Sequence, residues 1–206
     1  MRILISAGPT REPIDQVRYL SNRSSGAMGI ALAKAAQAAG HEVTLLLGPV
    51  MLPPPAGVRV VPFSSCADLG TELEKHFPAC DLLIMAAAVA DYRLPAPLTG
   101  KTERGAQLTL VLSPTPDLVK TCAKFKRADQ QVVAFALEEP GNLFARAAEK
   151  MRRKGVDAIV ANPLETMDAP GISGTLLWAD GRQESPGAAL AKAEFAAWLV
   201  GKLAGK

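Results

Sequence analysis

The stretch Ser21-Asn22-Arg23-Ser24-Ser25-Gly26-Ala27-Met28-Gly29 crowds amide, hydroxyl and guanidinium groups into a turn that leads directly into an Ala-rich helical run. Backbone N–H groups at a helix start have no intrahelical partner, and the helix dipole favours negative charge there. The spacing therefore predicts an anion site, with a phosphate as its natural occupant. The same Ser24 and Ser25 hydroxyls could equally cap the helix, since capping groups and anion-binding groups are the same atoms. Asn22 adds an amide that can hydrogen-bond a carboxylate or carbonyl, and Arg18 a guanidinium that pairs with an anion bidentately. Either one alone is also an ordinary solvated loop residue.

A second group follows a buried apolar run. Met85-Ala86-Ala87-Ala88-Val89-Ala90-Asp91-Tyr92 leaves a strand in very small residues, which let a flat ligand such as a nucleobase lie against the backbone, and ends in a carboxylate. Asp91 could hold a divalent metal or a ribose hydroxyl, or it could cap a loop. Lys101 stands ten residues further on and could swing over a triphosphate as a point charge, or remain solvated. Phe135-Ala136-Leu137-Glu138 repeats the pattern of an apolar strand ending in a carboxylate, with an aromatic that could flank a base; its plain alternative is a core Phe and a surface Glu.

Other chemistries find little support. A dinucleotide fingerprint requires closely spaced glycines straight after the first strand and an acid at the end of the second. The chain instead reads Ser6-Ala7-Gly8-Pro9-Thr10 and Leu47-Gly48-Pro49, and it has no GxxxxGK[ST] loop. His41 and His76 are far apart and read as surface residues. No Ser/His/Asp order, HExxH or Cys/His pair stands out, which argues against a hydrolase or metalloprotease.

These groups need a frame, and the apolar pattern supplies one. Short apolar runs (Ile3–Ser6, Val43–Leu47, Val58–Val61, Leu82–Ala87, Val132–Phe135, Ala158–Val160) alternate with helical stretches at Gly26–Ala39, Cys66–Phe77, Pro116–Phe125 and Leu143–Lys154. Continuous apolar strands are buried on both faces, so the expectation is an α/β fold: a doubly wound, mostly parallel, Rossmann-like sheet with helices on each side. Leu108–Leu112 and Thr175–Ala179 read as later strands, the second in a Gly-punctuated hairpin, and Gly187–Leu203 as a closing helix. Pro53-Pro54-Pro55 is a stiff surface connection. Asp91 to Gln107 is a long, polar, flexible loop of the kind that forms an active-site lid.

Composition sets the outer bounds. With 206 residues and 49% hydrophobic content the expectation is a single domain, 1–206. Its 23 basic and 20 acidic residues give a net charge of +3 without a basic block, so nucleic-acid binding is not indicated. Cys66, Cys80 and Cys122 have neither metal-site spacing nor a disulfide framework, which fits a reducing cytoplasm. No run approaches a membrane span and the N-terminus lacks a signal-peptide core.

Taken together, Gly8-Pro9-Thr10-Arg11-Glu12-Pro13-Ile14-Asp15, Val17-Arg18-Tyr19-Leu20-Ser21-Asn22-Arg23-Ser24-Ser25-Gly26, Met28-Gly29, Ala86-Ala87-Ala88-Val89-Ala90-Asp91-Tyr92 and Pro116-Asp117 closely resemble the phosphopantothenate–cysteine ligases. These are also called phosphopantothenoylcysteine synthetases, and form the ligase domain of bacterial bifunctional coenzyme A biosynthesis proteins. The resemblance covers most of the chain and is strongest before Asp91. It implies ligation of L-cysteine to 4′-phosphopantothenate through an acyl-nucleotidylate. The nucleoside triphosphate would be CTP, with ATP as the alternative, and Mg2+ would offset phosphate charge.

The resemblance also implies roles. Asn22 would bind the carboxylate and acyl intermediate, Arg18 the phosphopantothenate end, and Ser24, Ser25 and Gly26 a phosphate. Gly8, Ala87, Ala88, Val89, Asp91 and Phe135 would surround the nucleotide, Asp91 would contact it or its metal, and Lys101 would be the loop lysine that meets the triphosphate. A homodimer is implied, and a separate phosphopantothenoylcysteine decarboxylase is a possible partner, because the flavin-dependent domain that often precedes this one is not in the chain. The pattern departs from the family in three places: Ala27 stands where a lysine is usual, Lys101-Thr102-Glu103-Arg104 replaces a lysine-rich cluster, and Pro114-Thr115 replaces a lysine before Pro-Asp. Fewer cations should then face the phosphates. The stretch 167–177 is also shortened. The rival readings are an NAD(P)-dependent oxidoreductase and a non-catalytic nucleotide-binding protein.

Overall fold

A computed structural model describes residues 1–105, 107–166, 169 and 171–205. The principal elements in chain order are β1 (Arg2–Ala7), α1 (Ala27–Ala38), β2 (Glu42–Leu47), β3 (Arg59–Pro62), α2 (Cys66–His76), β4 (Leu82–Met85), α3 (Leu118–Phe125), β5 (Gln131–Glu138), α4 (Leu143–Lys154), β6 (Ala158–Pro163), β7 (Thr175–Trp178), β8 (Gln183–Glu184) and α5 (Lys192–Ala204). The strands form one sheet in the order β8-β7-β6-β5-β4-β1-β2-β3. From β3 to β6 every pairing is parallel, while β7 and β8 add antiparallel strands at one edge.

The strand runs are apolar throughout because both faces of the sheet are covered. On one face Ile3, Ile5 and Ala7 of β1 pack with Leu32, Ala33 and Ala36 of α1 and Phe195, Ala196 and Leu199 of α5. On the other, Leu4 and Leu83 pack with Leu69 and Leu73 of α2, Cys122 of α3, and Ala147 and Met151 of α4. Burying one large side chain such as Phe195 stabilises the fold by about 1.5–3 kcal/mol. Local signals agree with this packing: Ser65 and Asp68 form a reciprocal capping box that starts α2, and Gly155 in the left-handed region ends α4.

This is the doubly wound architecture expected from the sequence, and its order locates the ligand crevice. The chain builds outward from β1 to β3, then returns to build the other half from β4. Ligands bind at the carboxyl ends of the strands where the direction of winding reverses, here between β1 and β4. Two corrections apply at the periphery. Residues 108–112 form no strand: they are largely exposed, and only Ser113–Pro114 pair, with Tyr92–Arg93. The closing helix begins at Lys192 rather than Gly187, because Leu190–Ala191 is taken up in a short pairing with Gly171–Ile172. The hairpin expected around Thr175 is present as β7 and β8.

Candidate functional site

Four segments meet above the β1–β4 switch point. The first is the start of α1. Gly26 precedes the helix with φ of 72°, a left-handed conformation that glycine adopts without steric cost, and no side chain among the described residues caps the helix. The Ser24 and Ser25 hydroxyls instead accept from the N–H groups of Gly26 (3.3 Å) and Ala27 (3.4 Å), which organises the turn. One turn later Gly29 lies so close to β1 that a Cβ on it would stand 2.4 Å from the Cβ of Ala7. Close helix–strand approach is the task of the last glycine in a dinucleotide fingerprint. With Gly8 turning the chain at the end of β1 (φ 82°), the glycine roles missing from the linear sequence are assembled in space. Residues 9–25 are inserted between the first glycine and the other two.

That insertion is the second segment, a hairpin of Arg11–Pro13 and Tyr19–Ser21. It is pinned by Glu12, a buried carboxylate that accepts from Cys66 N–H at the start of α2 (2.8 Å), and by Ser21 Oγ, which donates to Thr10 O (2.7 Å). The third segment, Ala86 to Asp91, is zipped to the start of the insertion. Ala88 N–H donates to Gly8 O, Thr10 N–H to Ala88 O and Ala90 N–H to Thr10 Oγ1. Asn22 closes this junction by donating from Nδ2 to Val89 O at 2.9 Å. The structure thus brings Asn22, Ser24, Ser25, Gly26, Gly8, Ala87, Ala88, Val89 and Asp91 to one edge. Asp91 is exposed, and its carbonyl accepts from Thr115 N–H.

The fourth segment is the end of β5. Phe135 is half-buried and, like Ala86, packs against the core on the face that α1 and α5 cover. Glu138 lies at the same end of the strand toward α4, with Arg146 at 3.6 Å and Lys150 at 4.0 Å. Lys101 is exposed on the long loop after Asp91. Arg18, placed by resemblance on the phosphopantothenate end, donates to Thr102 O at 2.8 Å and lies 3.4 Å from Asp15 Oδ2, so its guanidinium faces the Lys101 loop. His76 pairs loosely with Glu72, and His41 lies 3.5 Å from the N-terminus; both stand apart from the crevice.

Two further lysines join the site, and a buried amide ends the strand beside it. Lys150 sits where burial pulls its ammonium below the ordinary lysine range, with the charges of Glu138 and Asp91 pulling the other way. Lys154 holds both carboxylate oxygens of Asp117 at 2.7 Å, and Asp117 also caps α3 through Lys120 N–H. Burial raises the Asp117 pKa, but the Lys154 and Lys120 hydrogen bonds outweigh it and hold the group below the usual carboxylate range. Asn162, at the end of β6 beside β5, is only 8% exposed, and its Oδ1 has no hydrogen-bond partner among the described residues. That oxygen is enclosed by Gly174 and the core ring of Phe195 and does not open into the crevice.

These three were legible in principle. Lys150 and Lys154 are four apart on one helical face, and Asn162 ends a buried apolar strand. Of the shortened stretch 167–177, residues 167, 168 and 170 lie outside the described residues.

Fold and site together define a doubly wound α/β domain with a helix start that no side chain among the described residues caps and a crevice edged by small residues at its switch point. Residues 1–205 match the family model described as the DNA/pantothenate metabolism flavoprotein C-terminal domain, and the chain belongs to that family. It is 38% identical over 194 residues to the coenzyme A biosynthesis bifunctional protein CoaBC of Escherichia coli (strain K12), covering 90% of this chain and 48% of that protein. It is 45% identical over 166 residues to a cysteine/cysteine sulfinic acid decarboxylase of an unknown prokaryotic organism, covering 80% and 46%. The chain therefore spans about half the length of the curated relatives it matches. Among solved structures, the C-terminal domain of a CoaBC protein superposes with a TM-score of 0.84 at 36% identity, covering 98% of this chain and 93% of that one.

Proposed function

We propose that the domain is a phosphopantothenate–cysteine ligase acting in coenzyme A biosynthesis. It joins L-cysteine to 4′-phosphopantothenate at the expense of a nucleoside triphosphate, CTP by preference with ATP as the alternative. The observation that carries this reading is the convergence of the uncapped α1 start, the Ala86–Asp91 edge and Phe135, with Asn22 bonded across the junction. A triphosphate needs the first, a base the second and third, and an acyl group being activated the last.

In the first step a carboxylate oxygen of 4′-phosphopantothenate attacks the α-phosphorus. The P–O bond to pyrophosphate breaks, and pyrophosphate leaves with the electron pair. Carboxylates are ionised at neutral pH, having ordinary pKa values near ~4, so no general base is needed. Positioning alone can contribute on the order of 7–11 kcal/mol, and charge neutralisation supplies the rest. The α1 start and Lys101 meet the phosphate charge. With one N–H directed to Val89 O, Asn22 keeps a second N–H to donate to an acyl oxygen and orient it.

In the second step the cysteine amine adds to the acyl carbonyl. The C–O bond to the nucleotide breaks, the nucleoside monophosphate departs with its electrons, and the amine proton passes to solvent.

Magnesium would arrive on the triphosphate and lower its charge. Among the described residues no cluster of three or more His, Cys, Asp or Glu could hold a metal alone. Asp91, exposed at the crevice edge, would hold the ion together with phosphate oxygens. Lys150 and Lys154 complete the nucleotide side, offsetting the absence of a lysine at Ala27.

The exposed apolar residues Val17 and Tyr19 on the inserted hairpin, with Tyr92 and Leu98 on the neighbouring stretch, suit a second copy of the chain, hence a homodimer. The reading treats residues 1–206 as one domain. No helix among the described residues is long and apolar enough to cross a membrane. The three free, buried cysteines fit a reducing cytoplasm. A separate decarboxylase remains the proposed consumer of the product. The deciding assay is pyrophosphate release with 4′-phosphopantothenate, cysteine, magnesium and either CTP or ATP; no release with either nucleotide overturns the ligase reading.

A further inference from the structure

We propose that Asp15, a residue with no place in the chemistry itself, is the positioning residue that holds the Lys101 loop over the crevice, gripping the loop through one carboxylate oxygen while the other builds the turn it sits in. The proposal rests on the ligase reading for what Lys101 does, and on geometry alone for the grip.

The two oxygens divide the work. Oδ1 accepts from the backbone N–H groups of Val17 (2.8 Å) and Arg18 (2.7 Å), a local turn within the inserted hairpin. Oδ2 reaches across 87 positions of sequence to accept from Thr102 N–H at 3.1 Å. A carboxylate serving only the hairpin would need the first oxygen alone. The side chain is fully buried, and a buried carboxylate is retained where it is hydrogen-bonded on both oxygens.

The loop is held on both sides of Lys101. Gln16 N–H donates to Gly100 O at 3.2 Å, directly before it. Directly after it, Thr102 gives its N–H to Asp15 and receives at its carbonyl the Arg18 guanidinium, which itself lies 3.4 Å from Asp15 Oδ2. Nearer the loop's origin, Leu98 N–H donates to Ile14 O at 2.7 Å. Residues 14–18 thus contact the loop at 98, 100 and 102, and among the described residues from 94 to 112 no helix or strand does this instead. Among the contacting groups Asp15 is central, because it also orients Arg18. The N–H of Val17 is the chief cause that holds its carboxyl well below the usual carboxylate range, so the grip stays charged wherever the enzyme works.

Asp15→Asn tests this selectively. The amide oxygen can still accept from Val17 and Arg18, while the NH2 group now opposes Thr102 N–H. Parent, Asp15→Asn, Lys101→Ala and the double variant are compared in two assays. The first is trypsin cleavage at Arg104–Gly105 in the ligand-free protein. The second is pyrophosphate release as a function of nucleotide and cysteine concentration.

The expected result is cleavage at least ~10-fold faster in Asp15→Asn, and turnover ~10- to 100-fold lower with KM for cysteine unchanged. The double variant should turn over no more slowly than Lys101→Ala alone. Thr102→Pro, which removes the N–H from the loop side and leaves the hairpin intact, should reproduce the faster cleavage even if Asp15→Asn folds poorly. Parent-like cleavage in both variants overturns the grip. Additive losses in the double variant overturn action through Lys101. If the parent releases no pyrophosphate, the ligase reading fails while the cleavage comparison still decides whether Asp15 holds the loop.

Discussion

Asn22 and Val89 are joined by a 2.9 Å hydrogen bond from the Asn22 side-chain amide to the Val89 carbonyl, 67 positions away in sequence. This bond couples the two halves of the crevice. The turn that starts α1 belongs to the half built outward from β1, and the small-residue edge after β4 belongs to the half built the other way. Asn22 is exposed, so the bond does not serve a buried core; its effect is to fix the angle at which the amide meets whatever lies between the halves.

Asn22→Asp should therefore damage turnover far more than nucleotide binding. A carboxylate cannot donate to Val89 O, and it places a second negative charge beside the substrate carboxylate. We expect turnover to fall by ~100-fold or more while the nucleotide Kd changes only by about threefold, because the interaction lost acts on the reacting acyl group. Steady-state pyrophosphate release with calorimetric nucleotide titration measures both. Parent-like turnover in this variant would remove Asn22 from the mechanism.

Two glycine-to-alanine substitutions should move stability in opposite directions. At Gly29 the new Cβ would meet the Ala7 Cβ at 2.4 Å and Ser6 O at 3.2 Å, so α1 must back away from β1. Overpacking of this kind costs about 1–3 kcal/mol. Gly201 lies in the last turn of α5 with nothing within 4 Å of its would-be Cβ, and alanine there should add up to about 0.5 kcal/mol through helix propensity. Chemical denaturation of the two variants beside the parent checks both signs. A neutral Gly29→Ala would mean that the close approach of helix and strand is not under constraint.

The same glycines show where the sequence was legible and where it was not. Strand and helix alternation was readable because apolar runs buried on two faces leave a continuous signature, and the Asn22–Gly29 and Ala86–Asp91 motifs were readable because their residue types carry the chemistry. The failed fingerprint test was correct about the linear spacing, yet Gly8, Gly26 and Gly29 come together once residues 9–25 fold out as a hairpin. No local pattern encodes that. The strand expected at 108–112 failed for a related reason: alternating apolar residues there have no neighbouring strand beyond the two-residue pairing at Ser113–Pro114. Lys150 and Lys154 escaped notice because a basic helical face is usually a solvated one, and only the packing of α4 beside Asp117 and Glu138 gives them a second meaning.

That second meaning can be measured. Lys154→Met leaves Asp117 without its ammonium partner, and Lys150→Met removes a cation that lies 4.0 Å from Glu138. If these lysines serve the nucleotide, each should raise KM for the nucleoside triphosphate about 10-fold, corresponding to ~1.4 kcal/mol, while KM for cysteine stays put. Part of the Lys154 effect will be stability, since a partly buried carboxylate loses its pair, so a melting curve must accompany the kinetics. Equal increases in KM for nucleotide and cysteine would point to a general loss of structure instead.

The buried thiols give a pH dependence with a definite sign. Burial pushes Cys122 from its ordinary 9.0 up to about 12, with the neighbouring Cys80 adding to the rise. Burial likewise lifts Cys80 to about 11, partly opposed by Arg127. Neither thiol touches the crevice, and both pack under α2 and α3. A folded pKa above the unfolded one means that the neutral thiol is favoured in the native state. Below pH 9 both states hold the proton and stability is unaffected. Between pH 9 and about 11 the unfolded chain releases protons that the folded chain retains, so stability is lost as pH rises. Each thiol contributes a slope of about 1.4 kcal/mol per pH unit in that window. Urea denaturation at pH 8, 9.5 and 10.5 should show this loss in the parent. Cys122→Ala, though less stable at pH 8 for want of packing, should show a slope reduced by about 1.4 kcal/mol per unit. If the variant and parent slopes coincide, Cys122 ionises in the folded protein as readily as in the unfolded one, and the thiol is not shielded as its packing requires.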